Sequence, residues 1–211
     1  MTGVESRSLV RGYVLAGGGS TRFGQDKALA EIDGKPMLTR MCELLKGATS
    51  TVHVVAAPSK YASLGIEAVA DRWPGEGPLG GIITALQRTE EDGPQNEWNL
   101  IVSCDMPFLT REWIAFLVQR ASQSEAQVVL PRSHHGLEPL CACYKTNAGG
   151  ALQTVFEAGV RKVTQALQQV ETEVLDEADW KRFDSDGRLF WNMNTPVEYD
   201  EAKRILKAER T

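Results

Sequence analysis

The segment richest in chemistry is Leu15-Ala16-Gly17-Gly18-Gly19-Ser20-Thr21-Arg22-Phe23-Gly24-Gln25-Asp26-Lys27. Consecutive glycines let backbone N–H groups approach an anion with no Cβ in the way. Arg22 and Lys27 add two cations to the same loop, and together these parts describe a polyphosphate cradle. Two better-known glycine motifs fail here. The dinucleotide fingerprint G-x-G-x-x-G, started at Gly17, needs its third glycine where Arg22 stands. The P-loop pattern aligns on Gly19 and Gly24, but Gln25-Asp26 follow where Lys-Ser or Lys-Thr is required. The remaining alternative is a solvated turn after a strand.

Two carboxylates downstream suit such a cradle. Asp105, in Ser103-Cys104-Asp105-Met106-Pro107-Phe108, closes an apolar run. A carboxylate at the C-terminal end of a parallel strand faces the crevice where α/β sheets bind ligands. One carboxylate, with triphosphate oxygens and waters, is a normal way to hold Mg²⁺, although an aspartate there also suits a helix cap. Asp71 precedes Gly75-Glu76-Gly77-Pro78-Leu79-Gly80-Gly81, a turn leading into a helix. Gly80 and Gly81 permit close backbone approach to a ligand at the helix start. Other combinations are weaker. His134 and His135 sit near Cys141 and Cys143, but C-x-C lacks the usual zinc spacing. Cys104 lacks a fixed base, and the adjacent Asp105 opposes thiolate formation.

Strands and helices alternate around these motifs. Strands are expected at 11–16, 51–57, 67–70, 99–104, 127–131, 140–144 and 173–175. Helices are expected at 36–46, 78–88, 110–121 with Thr110 as cap, 148–158, 161–170, and 196–207 with Thr195 as cap. That order predicts one α/β domain over residues 1–211, a Rossmann-like three-layer sandwich with a mostly parallel central sheet.

A net charge of −5 argues against a nucleic-acid partner, which usually demands a basic face. It leaves room for anionic small substrates, because a few cations in a cleft outweigh a mildly acidic surface. No run approaches the roughly 20 apolar residues that span a bilayer. The polar start at Met1–Ser8 has no secretory apolar stretch, so a cytoplasmic protein without a membrane partner is expected. The four cysteines are spaced as packed, reduced thiols in a reducing compartment.

The loop resembles the L-A-G-G-x-x-x-R-[MF]-G-x-D-K signature of molybdenum cofactor guanylyltransferases, in the nucleotide-diphospho-sugar transferase superfamily. Cys104-Asp105-Met106-Pro107 and Gly77-Pro78-Leu79-Gly80-Gly81 resemble further segments of that family. The resemblance implies transfer of GMP from GTP to molybdopterin with Mg²⁺ as cofactor and pyrophosphate as product. It implies catalytic roles for Arg22, Lys27 and Asp105, with Asp105 as metal ligand. It also implies nucleotide contacts at Leu15, Ala16, Gly17, Gly18, Gly19, Lys27, Asp71, Gly80 and Asp105. Glu138, Asn192 and Asn194 resemble its acceptor side; the asparagines equally suit a turn before a capped helix, or a share in holding magnesium. Arg161 and Lys162 meet acceptor phosphate or merely solvate a helix start. Transient contact with proteins that deliver molybdopterin or mature molybdoenzymes is implied as well. The guanine choice rests on Gly17, since cytidylyltransferases acting on the same pterin tend to carry L-A-A-G. Ala56-Ala57-Pro58 departs from relatives that place an asparagine there. A CTP- or sugar-phosphate-dependent enzyme of the same fold is the runner-up, and a nucleotide-binding regulator without catalysis is the non-enzymatic alternative.

Overall fold

The computed structural model describes residues 10–17, 26–66, 68–93 and 98–208. In chain order the regular elements begin with β1 (Val10–Leu15), the short hairpin β2 (Glu31–Ile32) and β3 (Lys35–Pro36), and α1 (Met37–Leu45). Next come β4 (Thr51–Ala56), β5 (Ala68–Ala70), α2 (Pro78–Glu91), β6 (Trp98–Ser103) and α3 (Arg111–Ser122). The remainder comprises β7 (Val128–Ser133), β8 (Gly136–Leu137), β9 (Cys141–Lys145), α4 (Gly149–Glu157), α5 (Val163–Ala166), β10 (Thr172–Leu175), α6 (Glu177–Trp180) and α7 (Pro196–Ala208).

The main sheet has the order β10-β7-β9-β6-β1-β4-β5, with β8 hanging on β7. β1 pairs parallel with both β4 and β6. β4–β5 and β7–β10 are also parallel. Only β9 runs against its neighbours in this order, β6 and β7. The mostly parallel sheet expected from the strand–helix alternation is therefore present, with one antiparallel strand inserted.

Alternation along β1 divides the interior into two cores. Val10 and Val14 join the helices carrying Met37, Leu38 and Trp113, whereas Tyr13 and Leu15 join Leu79, Ile82 and Phe156. Apolar spacing explains which helix faces turn inward. In α1, Met37, Leu38, Met41, Cys42 and Leu45 lie on one face and are buried. In α3 the Thr110 hydroxyl accepts from the Trp113 N–H at 3.2 Å, as expected of the predicted cap.

One expected helix needs correction, and some short elements were not expected. The helix expected over 161–170 is short: α5 covers Val163–Ala166, and Leu167–Gln169 tightens into a 3₁₀ turn. Gly159 at φ 97° and extended Lys162 keep Arg161 out of the helix. The hairpin at Glu31–Pro36 and the strand Gly136–Leu137 lacked any sustained alternation and were not expected.

Candidate active site

β1 lies at the point where successive connections leave to opposite sides, first to β4 and later to β6. In open α/β sheets such a reversal leaves a crevice beyond the carboxyl ends of the strands. The register delivers the chemistry there. Leu15 faces Val55 of β4 and Ser103 of β6, so Gly17 and Asp105 each emerge two residues beyond that line. The Asp71 N–H donates to Ala56 O at 3.2 Å, which brings Asp71 to the same rim from β5. A cavity of about 390 Å³ is lined there by Leu15, Gly17, Asp71, Gly81, Ser103 and Asp105, among others. A larger cavity of about 600 Å³, beside Lys46, His53 and Arg88, lies at the β5 edge of the sheet. It contains none of the predicted residues, and no carboxylate is among its described lining residues.

Asp105 is engaged at both carboxylate oxygens. The Ser103 hydroxyl donates to its Oδ1 at 2.5 Å, while Lys27 Nζ stands 3.5 Å from Oδ2. Lys27 Nζ also donates to Asn194 Oδ1 at 2.8 Å. The 3₁₀ turn carrying Lys27 begins at Asp26, whose Oδ1 accepts from the Ala28 N–H. Asp26 Oδ2 takes the Tyr61 hydroxyl and the Lys60 ammonium. The chain returns at its C-terminal side, where the Met193 N–H donates to Asp105 O at 2.9 Å. Phe108 stacks on Trp191 at 5.4 Å and supports the same turn.

The wall beside Asp71 is built from the loop before α2. Gly77 takes φ 90°, a conformation that side chains rarely adopt, and Pro78 starts the helix behind it. Asp71 Oδ1 accepts from the Trp73 N–H at 3.0 Å and from the Thr84 hydroxyl at 3.3 Å. Asp71 Oδ2 lies over Gly17, where an added Cβ would meet it at 3.6 Å.

Leu15, Gly17, Asp71 and Asp105 thus line one cavity, with Lys27 beside Asp105. Gly80 does not line it: a Cβ there would come within 3.0 Å of Trp73 Cβ, so the missing side chain lets the Trp73 segment pack close to the helix. Its neighbour Gly81 lines the cavity instead, against Leu15. Ala16 is buried beneath, and its carbonyl accepts from the Tyr61 hydroxyl. Gly18, Gly19 and Arg22 lie outside the described residues. The two asparagines separate, since Asn192 donates to Phe190 O while Asn194 holds Lys27. Glu138, just past β8, accepts from Ser133 Oγ at the end of β7 at 2.5 Å, and burial raises its pKa. Arg161 lies before α5, not in its first turn. It pairs with Glu76 at 2.7 Å and lies over the Phe156 ring, bracing the loop before α2.

The cysteines are free and buried. Burial, reinforced by Asp105, pushes the Cys104 thiol above its ordinary range, which disfavours the thiolate near neutral pH. Among the described residues no three His, Cys, Asp or Glu side chains gather as a metal cage, and no helix is long and apolar enough to cross a membrane. Thr84 and the Lys27–Asn194 pairing were missed from sequence. The one available signal was a hydroxyl inside the apolar run of α2, which must find a partner when buried.

The family model for the MobA-like NTP transferase domain matches residues 12–172. A "Probable molybdenum cofactor guanylyltransferase" of Chloroflexus aggregans is 33% identical over 89% of this chain and 90% of its own. The molybdenum cofactor guanylyltransferase of Desulfosudis oleivorans is 29% identical over 95% and 98%. Among solved structures, molybdopterin-guanine dinucleotide biosynthesis protein A of Archaeoglobus fulgidus superposes with a TM-score of 0.80 at 24% identity, over 94% of this chain and 99% of that one. A CMP:2-keto-3-deoxy-manno-octonic acid synthetase with CTP follows at 0.71 and 12% identity, over 95% and 99%, a likeness of fold alone. With most of its length matched and the motif residues gathered at one cavity, the chain belongs to the MobA-like NTP transferases, the family of the molybdenum cofactor guanylyltransferases.

Proposed function

We propose that this chain transfers GMP from GTP to molybdopterin or its molybdenum form, releasing pyrophosphate. The observation that carries this reading is the convergence of Gly17, Asp71 and Asp105 on one cavity, with Lys27 beside Asp105. In the reaction, a terminal phosphate oxygen of the acceptor attacks the α-phosphorus of GTP. The new P–O bond forms as the bond to the β-phosphate oxygen breaks, and pyrophosphate leaves with the electron pair. The attacking phosphate is already anionic near neutral pH, so no general base is needed. The protein's task is orientation and charge neutralisation.

Lys27 supplies fixed positive charge, held by Asn194 on one side and facing Asp105 on the other. Arg22 is assigned the same task by sequence. Asp105, which lines the cavity, would be the protein's ligand to a magnesium ion arriving with the triphosphate, since Mg²⁺ draws most of its ligands from phosphates and water. Such an ion would supply positive charge to the phosphates. Asn192, Asn194 and Glu138 are proposed for the acceptor side by resemblance. The fold does not choose the base, since a CTP-bound neighbour shares it. Guanine is favoured by the curated relatives.

The test is pyrophosphate release with Mg²⁺ and each of the four NTPs, with and without molybdopterin. Release with GTP that requires the pterin is expected. Pterin-dependent release with CTP would overturn the base assignment. Silence with every NTP from folded protein would overturn the reaction.

A further inference from the structure

Thr84 is buried in α2, at 1% exposure, inside the apolar run Leu79–Leu86. A buried hydroxyl without partners would be costly, and this one is used twice. It accepts from the Arg72 N–H at 3.2 Å and donates to Asp71 Oδ1 at 3.3 Å. The Trp73 N–H donates to that same oxygen at 3.0 Å. Two protein donors therefore converge on Oδ1. Oδ2 lies over Gly17, on the cavity side.

We infer that Thr84 is a positioning residue for nucleotide recognition: it locks the Asp71 carboxylate so that Oδ2 is presented to the cavity as an acceptor for an N–H or O–H of the bound nucleoside. The inference rests on the nucleotide-site reading above, which it deepens. Without the hydroxyl, Asp71 keeps one internal donor, Trp73 N–H, and the carboxylate can rotate about its remaining contact. Arg72 N–H simultaneously loses its acceptor, so the turn entering the loop loosens with it. The effect falls on ground-state nucleotide binding, because Asp71 follows β5 whereas Asp105, with Lys27 beside it, follows β6, and β1 and β4 lie between those strands.

The test compares Thr84→Val, which keeps the shape and removes the hydroxyl, with Thr84→Ser, which restores it. GTP binding is measured by calorimetry in the absence of acceptor, and KM and kcat in its presence. Thr84→Val is expected to weaken GTP binding and raise its KM by about tenfold, the loss of one hydrogen bond to a charged group, with a smaller change in kcat. Thr84→Ser is expected to stay within about twofold of the parent. Asp71→Ala with Thr84→Val is expected to bind no more weakly than Asp71→Ala alone, because Thr84 acts through Asp71. Unchanged binding in Thr84→Val, or losses that add in the double variant, would overturn the inference. Should Thr84→Val not fold, Thr84→Ala replaces it in the same comparison. The parent protein is a separate control: if it fails to bind GTP, the nucleotide reading itself falls.

Discussion

Lys27 is the side chain on which the proposed chemistry most depends, and its surroundings explain why. Its ammonium group lies between a carboxylate and an amide oxygen, so its position is set before any substrate arrives. Replacing Lys27 or Asp105 by alanine is expected to lower turnover by at least about a hundredfold, roughly 3 kcal/mol of transition-state stabilisation. Circular dichroism and melting should stay near the parent, since both residues sit at the cavity and not in the core. Near-parental turnover in both variants would remove them from the mechanism. Asn194→Ala keeps the cation but frees it, so kcat is expected to fall about tenfold with little change in the KM for GTP. An unaltered kcat would mean that Lys27 finds its place without the amide. These residues differ in how far sequence could reach them. Asp105 and Asp71 follow strands whose ends are marked by apolar runs, and both are legible. Nothing local announces that Asn194 will meet a lysine 167 positions earlier.

At the scale of elements, α7 matters to the site because the turn leading into it carries Asn194, one residue before its cap Thr195. Thr195 and Glu198 form a reciprocal cap: the Glu198 N–H donates to Thr195 Oγ1, and the Thr195 N–H donates to Glu198 Oε2 at 2.8 Å. Asn194 N–H adds a second backbone donor at 2.7 Å. Burial alone would raise the Glu198 carboxyl, but these N–H groups, the Thr195 hydroxyl and the charge of Lys27 lower it below its ordinary value. A carboxyl lowered in the folded state stabilises fully above its unfolded pKa, and that contribution is lost as pH falls through the folded value. Glu198→Gln is therefore expected to cost on the order of 1 kcal/mol near neutrality. Melting curves from pH 7 to 3 should show the difference from the parent shrinking in the acid range; a constant difference would sever the cap from its ionisation. The sequence identified Thr195 as a cap from residue type and the proline behind it. Gly80 and Gly81 were harder, because both permit close approach and only the helix's rotation decides which one faces Trp73 and which the cavity. Thr84 was hidden for a related reason: α2 is buried on nearly every side of its central turns, so its apolar pattern does not reveal which positions touch the site.

The whole molecule joins two parallel blocks through the antiparallel β9, which lies between β6 and β7. Alternation of strands and helices disclosed the parallel blocks, whereas strand direction is a property of connection and neighbours, which β9's own apolar run could not reveal. The block with β1, β4, β5 and β6 carries Gly17, Asp71 and Asp105, yet the segment that holds Lys27 returns from beyond β10. That arrangement has a consequence in time. Apart from Leu140, the cavity walls form from residues of the first half of the chain, but closing the loop back to Lys27 carries a larger entropy cost and comes later. During refolding, the protein should first become a folded nucleotide-sized hollow and only afterwards a competent enzyme. Trp191, stacked on Phe108 beside the returning turn, is placed to report that last step by fluorescence. Pyrophosphate release should reappear with that slow signal; its return with the earliest fluorescence phase would show that catalysis does not wait for the closing turn. The delay would act as a safeguard of order, keeping a half-built chain from spending nucleotide before it is complete.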